Sequence, residues 1–163
     1  MSKRFLIADD NHAARRVMAE ILTSYPGWSV CAEAADGFSA VELALTQRPE
    51  LIILDVQMPR MNGIEAAQRI LEALPDALIL LISFHEAKLI VPEIKGTKIR
   101  GFVSKGMLGR DLISGVETVF SGGYYFDGEL TSIPTSSPAS LPSSQPASHE
   151  DARENPGKFD PGN

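Results

Sequence analysis

Residues 51–66 read LIILDVQMPRMNGIEA. Four aliphatic side chains in succession run into Asp55, and a strand that is apolar on consecutive positions is buried on both faces, so helices must cover both sides of its sheet. Pro59 fixes φ in the connection, and Gly63 suits a tight turn into a helix expected over 63–74. The stretch is a strand, a turn and a helix with a carboxylate at the junction.

The same unit recurs on either side. Further strands are expected at RFLIAD (4–9), WSVCAEA (28–34), ALILLIS (77–83) and IRGFVS (99–104), each short and rich in Ile, Leu, Val or Phe. Helices are expected over about 12–24, 37–47, 86–95 and 108–121, with Asn11 and Asp36 as N-caps and Pro26-Gly27 ending the first. Pro92 falls inside HEAKLIVPEIKG and removes a helical hydrogen bond, so the fourth helix should be short or kinked. Five such repeats predict an α/β domain with a doubly wound, five-stranded parallel sheet of order 2-1-3-4-5.

After Leu130 the composition changes to a stretch with Pro134, Pro138, Pro142 and Pro146 separated by serines. Such a segment offers too little apolar surface to offset the entropy of ordering, so residues 131–163 are expected to be a disordered tail on a domain spanning 1–130. A chain of 163 residues with 44% hydrophobic content supports one domain of ordinary size. The net charge of −6 and the pI near 5.0 argue against a nucleic-acid surface. Cys31 is the single cysteine, so no disulfide framework is available; a buried, inert thiol in a reducing cytoplasm is expected. The longest apolar run, ALILLIS, falls far short of the roughly 20 residues that span a bilayer.

Polar residues at the ends of apolar strands decide the chemistry. Asp9 and Asp10 follow the first strand, Asp55 ends the third, Ser83 ends the fourth and Lys105 follows the fifth. In the order 2-1-3-4-5 these strands are neighbours, so the groups converge at the carboxyl edge of the sheet. Three carboxylates at close quarters need a cation; oxygen ligands of high charge select a hard divalent ion such as Mg²⁺. A carboxylate beside that ion and a lysine can act as a nucleophile towards phosphorus, with Ser83 and Lys105 as donors to the phosphoryl oxygens. Taken singly, each piece also fits a plain structural role: an N-cap for the aspartates, a strand-ending turn at Asp55, a backbone-bonding hydroxyl at Ser83 and a solvated charge at Lys105. Their joint placement at four strand ends favours the site.

The motifs LIADDN (6–11), LIILDVQMPRMNGIEA (51–66), LLIS (80–83) and GFVSK (101–105) resemble the receiver domains of bacterial two-component response regulators over residues 3 to about 130. With GVETVFSGGYYFDGEL (115–130), the chain looks most like receivers that precede a LuxR-type helix-turn-helix. The resemblance implies a flavodoxin-like fold, Asp55 as phosphoacceptor, and Mg²⁺ held by Asp10, Asp55 and the backbone carbonyl of Gln57, with Asp9 acting through a metal-bound water. It also implies Ser83 as the switch hydroxyl, Lys105 as the phosphate-binding lysine and Phe102 as the switch aromatic. The expected activity is self-phosphorylation from a phosphohistidine, followed by slow autodephosphorylation. The implied partners are a sensor histidine kinase or phosphotransfer protein and a downstream protein, with a homodimer also allowed.

Three features depart from the family pattern. Phe84 follows the switch hydroxyl where a small residue is usual, Gly106 replaces a common proline, and a Ser/Pro-rich stretch stands where the resembling proteins begin a helix-turn-helix. Signalling through protein contacts without direct nucleic-acid or membrane binding is therefore expected. The rivals are a degenerate receiver that only docks proteins and a truncated LuxR-type transcriptional regulator. A nucleotide- or flavin-binding module of the same topology needs a phosphate loop after the first strand, where DDNHAAR would repel phosphate.

Overall fold

A computed structural model describes residues 2–126. The expected tail at 131–163, and the boundary at residue 130, lie outside the described residues. Strands β1 (Lys3–Ala8), β2 (Trp28–Ala34), β3 (Leu51–Asp55), β4 (Ile79–Ser83) and β5 (Gly101–Ser104) alternate with helices α1 (His12–Thr23), α2 (Gly37–Gln47), α3 (Gly63–Ala73), α4 (Ala87–Ile94) and α5 (Leu108–Phe120). A 3₁₀ turn, Lys105–Met107, leads into α5.

The two-residue period of the strands explains the layering. Phe5, Ile7, Leu51, Ile53, Leu80, Ile82 and Val103 pack with Met18 and Leu22 of α1 and with Leu112, Val116 and Val119 of α5. The intervening residues Leu6, Ala8, Ile52, Leu54, Ile79, Leu81 and Phe102 face the other way, against Ala40 and Ala44 of α2, Ile64, Ala67 and Ile70 of α3, and Ile90 and Ile94 of α4. Both faces of the sheet are thus dry, as the unbroken apolar strands require.

The sheet has six parallel strands in the order 2-1-3-4-5-6, so the expected five-stranded sheet is corrected by one. Strand β6 is only Tyr125–Phe126 and pairs with Gly101–Phe102 at the edge of β5. Two residues are too few to show a period in sequence. What forms this strand is tertiary: a Cβ on Gly101 would lie 2.3 Å from the Tyr125 carbonyl oxygen, so only glycine admits the approach. The Asp111 carboxylate of α5 is held below the usual range chiefly by Arg110, with a smaller contribution from the Tyr125 side chain.

The expected caps form, with Asn11 Oδ1 accepting from the Ala14 amide at 3.2 Å and Asp36 Oδ1 from the Ser39 amide at 2.9 Å. Helix α4 is the shortest at eight residues and carries Pro92 within it, as the lost hydrogen bond predicts. Strands β4 and β5 begin two residues later than the apolar runs suggest, yet Ile99 remains buried as a loop residue. Cys31 is partly buried, not fully so; its thiol contacts the Phe5 carbonyl oxygen at 3.3 Å, and burial pushes its pKa up and keeps it protonated. No helix among the described residues is long and apolar enough to cross a membrane.

Candidate functional site

The carboxyl edge gathers the polar strand ends. Asp9, just past β1, is fully buried, and Asp55, the last residue of β3, is nearly so. One oxygen from each of Asp9, Asp10 and Asp55 lies within 4.8 Å of the others. Lys105, whose side chain is 7% exposed, places its Nζ 2.7 Å from Asp9 Oδ2 and 2.9 Å from Asp55 Oδ2. Two buried carboxylates therefore share one ammonium, with the Asp10 carboxylate beside them.

Local backbone needs set this geometry. A Cβ on Gly63 would sit 2.0 Å from the Asp55 carbonyl oxygen, and the Gly63 amide donates to the Val56 carbonyl at 2.9 Å. Glycine there lets the start of α3 close onto the loop that carries the acid. In that loop the Gln57 amide donates to Asp55 Oδ1 at 3.2 Å, while no hydrogen bond among the described residues engages the Gln57 carbonyl.

Electrostatics show a site short of positive charge. Burial pushes the Asp55 pKa up, and the Asp9 carboxylate adds to this against the pull of Lys105. Burial works against the charge of Lys105, but its pairing with the Asp9 and Asp55 carboxylates outweighs that and raises its pKa. The ammonium is secure, whereas the carboxylate pair is over-supplied with negative charge. Asp9 Oδ2 makes the same point, since its contact with Lys105 is electrostatic and the buried atom has no hydrogen bond. An all-oxygen donor set with an unsatisfied buried oxygen fits a hard divalent cation such as Mg²⁺.

Ser83, buried at the end of β4, accepts the His85 amide at 3.0 Å, which leaves its own hydroxyl proton free to be donated. Phe102 is fully buried in β5, paired with Leu81 on one side and Phe126 on the other. Phe84 is 75% exposed, with its ring centre 5.3 Å from Lys105 Nζ, at the rim of the site. The sequence-derived residues thus gather at one edge, except that Phe102 lies within the core.

Three side chains that the strand-end argument left out reach the same edge. Gln57 and His85 join across its mouth, Nε2 to Nε2 at 2.6 Å. From behind, Arg15 of α1 donates from Nη1 to the Asp9 carbonyl at 2.6 Å and from Nε to Glu33 at 3.1 Å. A signal for the last pair exists in the sequence: Arg15 stands in the first turn of a helix, where a cation opposes the helix dipole, and Glu33 is the one charge in WSVCAEA.

A doubly wound α/β domain with its acidic and basic groups gathered at the carboxyl edge of the sheet defines the class of protein. Residues 5–117 match the model of the response regulator receiver domain, and the chain belongs to that family. Over 128 residues it is 33% identical to the transcriptional regulatory protein DegU of Brevibacillus brevis, spanning 78% of this chain and 54% of DegU. It is 43% identical over 83 residues to protein-glutamate methylesterase/protein-glutamine glutaminase 4 of Myxococcus xanthus, spanning 51% of this chain and 24% of that enzyme. The chain therefore covers about half, or less, of the length of these relatives. Among solved structures, a two-component response regulator of the LuxR family from Aurantimonas superposes with a TM-score of 0.73 at 26% identity, over 77% of this chain and 89% of that one. The resemblance to LuxR-associated receivers is borne out.

Proposed function

We propose that this receiver accepts a phosphoryl group on Asp55 from a phosphohistidine and passes the signal through protein contacts. The observation that carries the reading is the buried triad of Asp9, Asp55 and Lys105, with the Asp10 carboxylate beside it. Asp55 is the nucleophile. As its oxygen bonds to phosphorus, the phosphorus–nitrogen bond of the donor breaks and the electron pair returns to the imidazole. Asp9, Asp10, Asp55 and the Gln57 carbonyl would hold Mg²⁺, which when bound neutralises charge on the carboxylates and the phosphoryl oxygens. Lys105 pairs with one phosphoryl oxygen, and Ser83 donates its free proton to another. Ser83 and Phe102 are the switch residues, linked because β4 and β5 are paired neighbours.

The chemistry is directed at the protein itself, with slow hydrolysis of the acyl phosphate and no turnover of an external substrate. The donor is a sensor histidine kinase or phosphotransfer protein in a phosphorelay, and the receiver acts in the cytoplasm, on a downstream protein or as a homodimer. At a net charge of −6 the chain has little means of holding a duplex by its phosphates. We further propose a receiver domain over 1–130 and a separate Ser/Pro-rich tail over 131–163, which protease mapping of the full chain tests by cleavage confined to the tail.

The deciding experiment is incubation with acetyl phosphate and MgCl₂ followed by intact-mass measurement. Wild type should gain one phosphoryl group, while Asp55→Asn, or wild type with EDTA, should gain none. An unchanged wild-type mass leaves the docking-only reading in its place.

A further inference from the structure

Three of the four polar atoms of Asp9 are hydrogen-bonded. Its amide donates to the Ala34 carbonyl at 3.0 Å, and its Oδ1 accepts the Asn11 amide at 2.8 Å. Its Oδ2 faces Lys105 at 2.7 Å, and its carbonyl accepts Arg15 Nη1 at 2.6 Å. That carbonyl belongs to the planar peptide joining Asp9 to Asp10, so pinning the carbonyl sets the direction in which the chain leaves Asp9. Asp10 is exposed, and its side chain makes no hydrogen bond or ion pair among the described residues. Nothing at its own carboxylate aims it. The peptide behind it does.

Arg15 is well built for this task. Its side chain is 13% exposed, and Nε is turned by Glu33, which is 43% exposed and sits on β2 in register with Ile7. A guanidinium offers a rigid fork that binds two acceptors in fixed directions, which an ammonium does not. Its place in the first turn of α1 costs helix-dipole energy, and that helix has no acidic residue in its first turn to offset it.

We infer that Arg15, oriented by Glu33, is a positioning residue for the cation site: it locks the Asp9–Asp10 peptide and thereby aims the Asp10 carboxylate. The inference rests on the proposed Mg²⁺ site and adds to it a second layer of support. The sign of its effect separates it from a simple charge. Removing a cation near three carboxylates should tighten Mg²⁺ binding if charge alone matters. Removing a positioning clamp should weaken it, and supporting residues behind metal ligands are typically worth about 10–100-fold in affinity.

The test titrates the full chain with MgCl₂ and follows the amide resonances of Asp10, Asn11 and Gln57, with thermal melting run in parallel. Arg15→Gln should bind Mg²⁺ roughly tenfold more weakly, and Arg15→Lys, which keeps the charge, should be weakened too. Their metal-free spectra should already show shifted Asp10 and Asn11 amides. Glu33→Gln, at a half-exposed position that does not endanger the fold, should weaken binding by a smaller factor. Binding by Arg15→Gln that equals or exceeds wild type overturns the clamp while the cation site stands. Should the arginine variants fail to fold, unchanged affinity in Glu33→Gln overturns it instead. A flat titration of wild type removes the cation reading itself, and the inference with it.

Discussion

The two ends of the same strands are built on opposite principles. At the amino edge, Phe5 and Trp28 stack at 5.1 Å between ring centres, Tyr25 lies 4.6 Å from Trp28, and Phe120 closes on Phe5 at 5.9 Å, with Lys3 over its ring at 4.4 Å. These contacts are apolar or complementary and ask for nothing further. At the carboxyl edge the same strands end in buried carboxylates that outnumber their cations, and Asp55 carries a raised pKa as the sign of it. One end stores stability; the other spends some to hold a reactive acid.

The sharpest way to test this contrast is to damage each end. Phe5→Ala, which opens a void beneath Trp28 and Phe120, should lower unfolding free energy by about 3–5 kcal/mol, measured by urea denaturation. The folded fraction should still gain phosphate on Asp55. Loss of phosphorylation in proportion beyond unfolding would mean that the two ends are not separable.

Asp55→Asn should act in the opposite direction. A carboxyl with a raised folded pKa adds stability only at low pH and loses it as pH rises through that pKa, so ionised Asp55 is a burden at neutrality. The variant should be more stable at pH 7 by about 1–2 kcal/mol, with a correspondingly higher melting temperature, and added MgCl₂ should narrow the gap. A lower melting temperature would show that the Lys105 pairing outweighs the burial.

Asp36, which caps α2, is held below the usual carboxylate range by the Ser39 amide and by Arg60. A depressed pKa gives stability that is present above the unfolded value of about 3.9 and lost as pH falls through the folded one. Asp36→Ala should therefore cost about 1 kcal/mol at pH 7, and the cost should fade as denaturation is repeated at pH values below 4. A cost that stays constant with pH would assign it to packing instead.

The smallest effect is expected at the rim. Phe84→Ala removes a ring lying over Lys105, a contact of the kind worth about 0.5–1 kcal/mol at exposed positions, and opens a path for water. The phosphorylated protein should lose its label about two- to fivefold faster, that energy converted to a rate. Equal rates would transfer attention to the Gln57–His85 bridge across the mouth.

What sequence alone determined follows from effects that act over a few residues. Unbroken aliphatic runs such as LIILD can only be interior strands, Asn11 and Asp36 can only help where a helix begins, and a carboxylate ending an apolar strand must emerge at the sheet edge. Hence the alternation of elements, the strand order through β5 and the convergence of Asp9, Asp10, Asp55, Ser83 and Lys105 were all legible. The rest depended on residues distant in sequence meeting in space. The sixth strand exists because Gly101 leaves room for the Tyr125 backbone, an approach that no local pattern records. The clasp of Arg15 on the Asp9 carbonyl joins a helix, an edge strand and a loop, and the Gln57–His85 bridge joins two loops 28 residues apart. Periodicity reports which face a side chain occupies; only packing decides which polar atom it finds there.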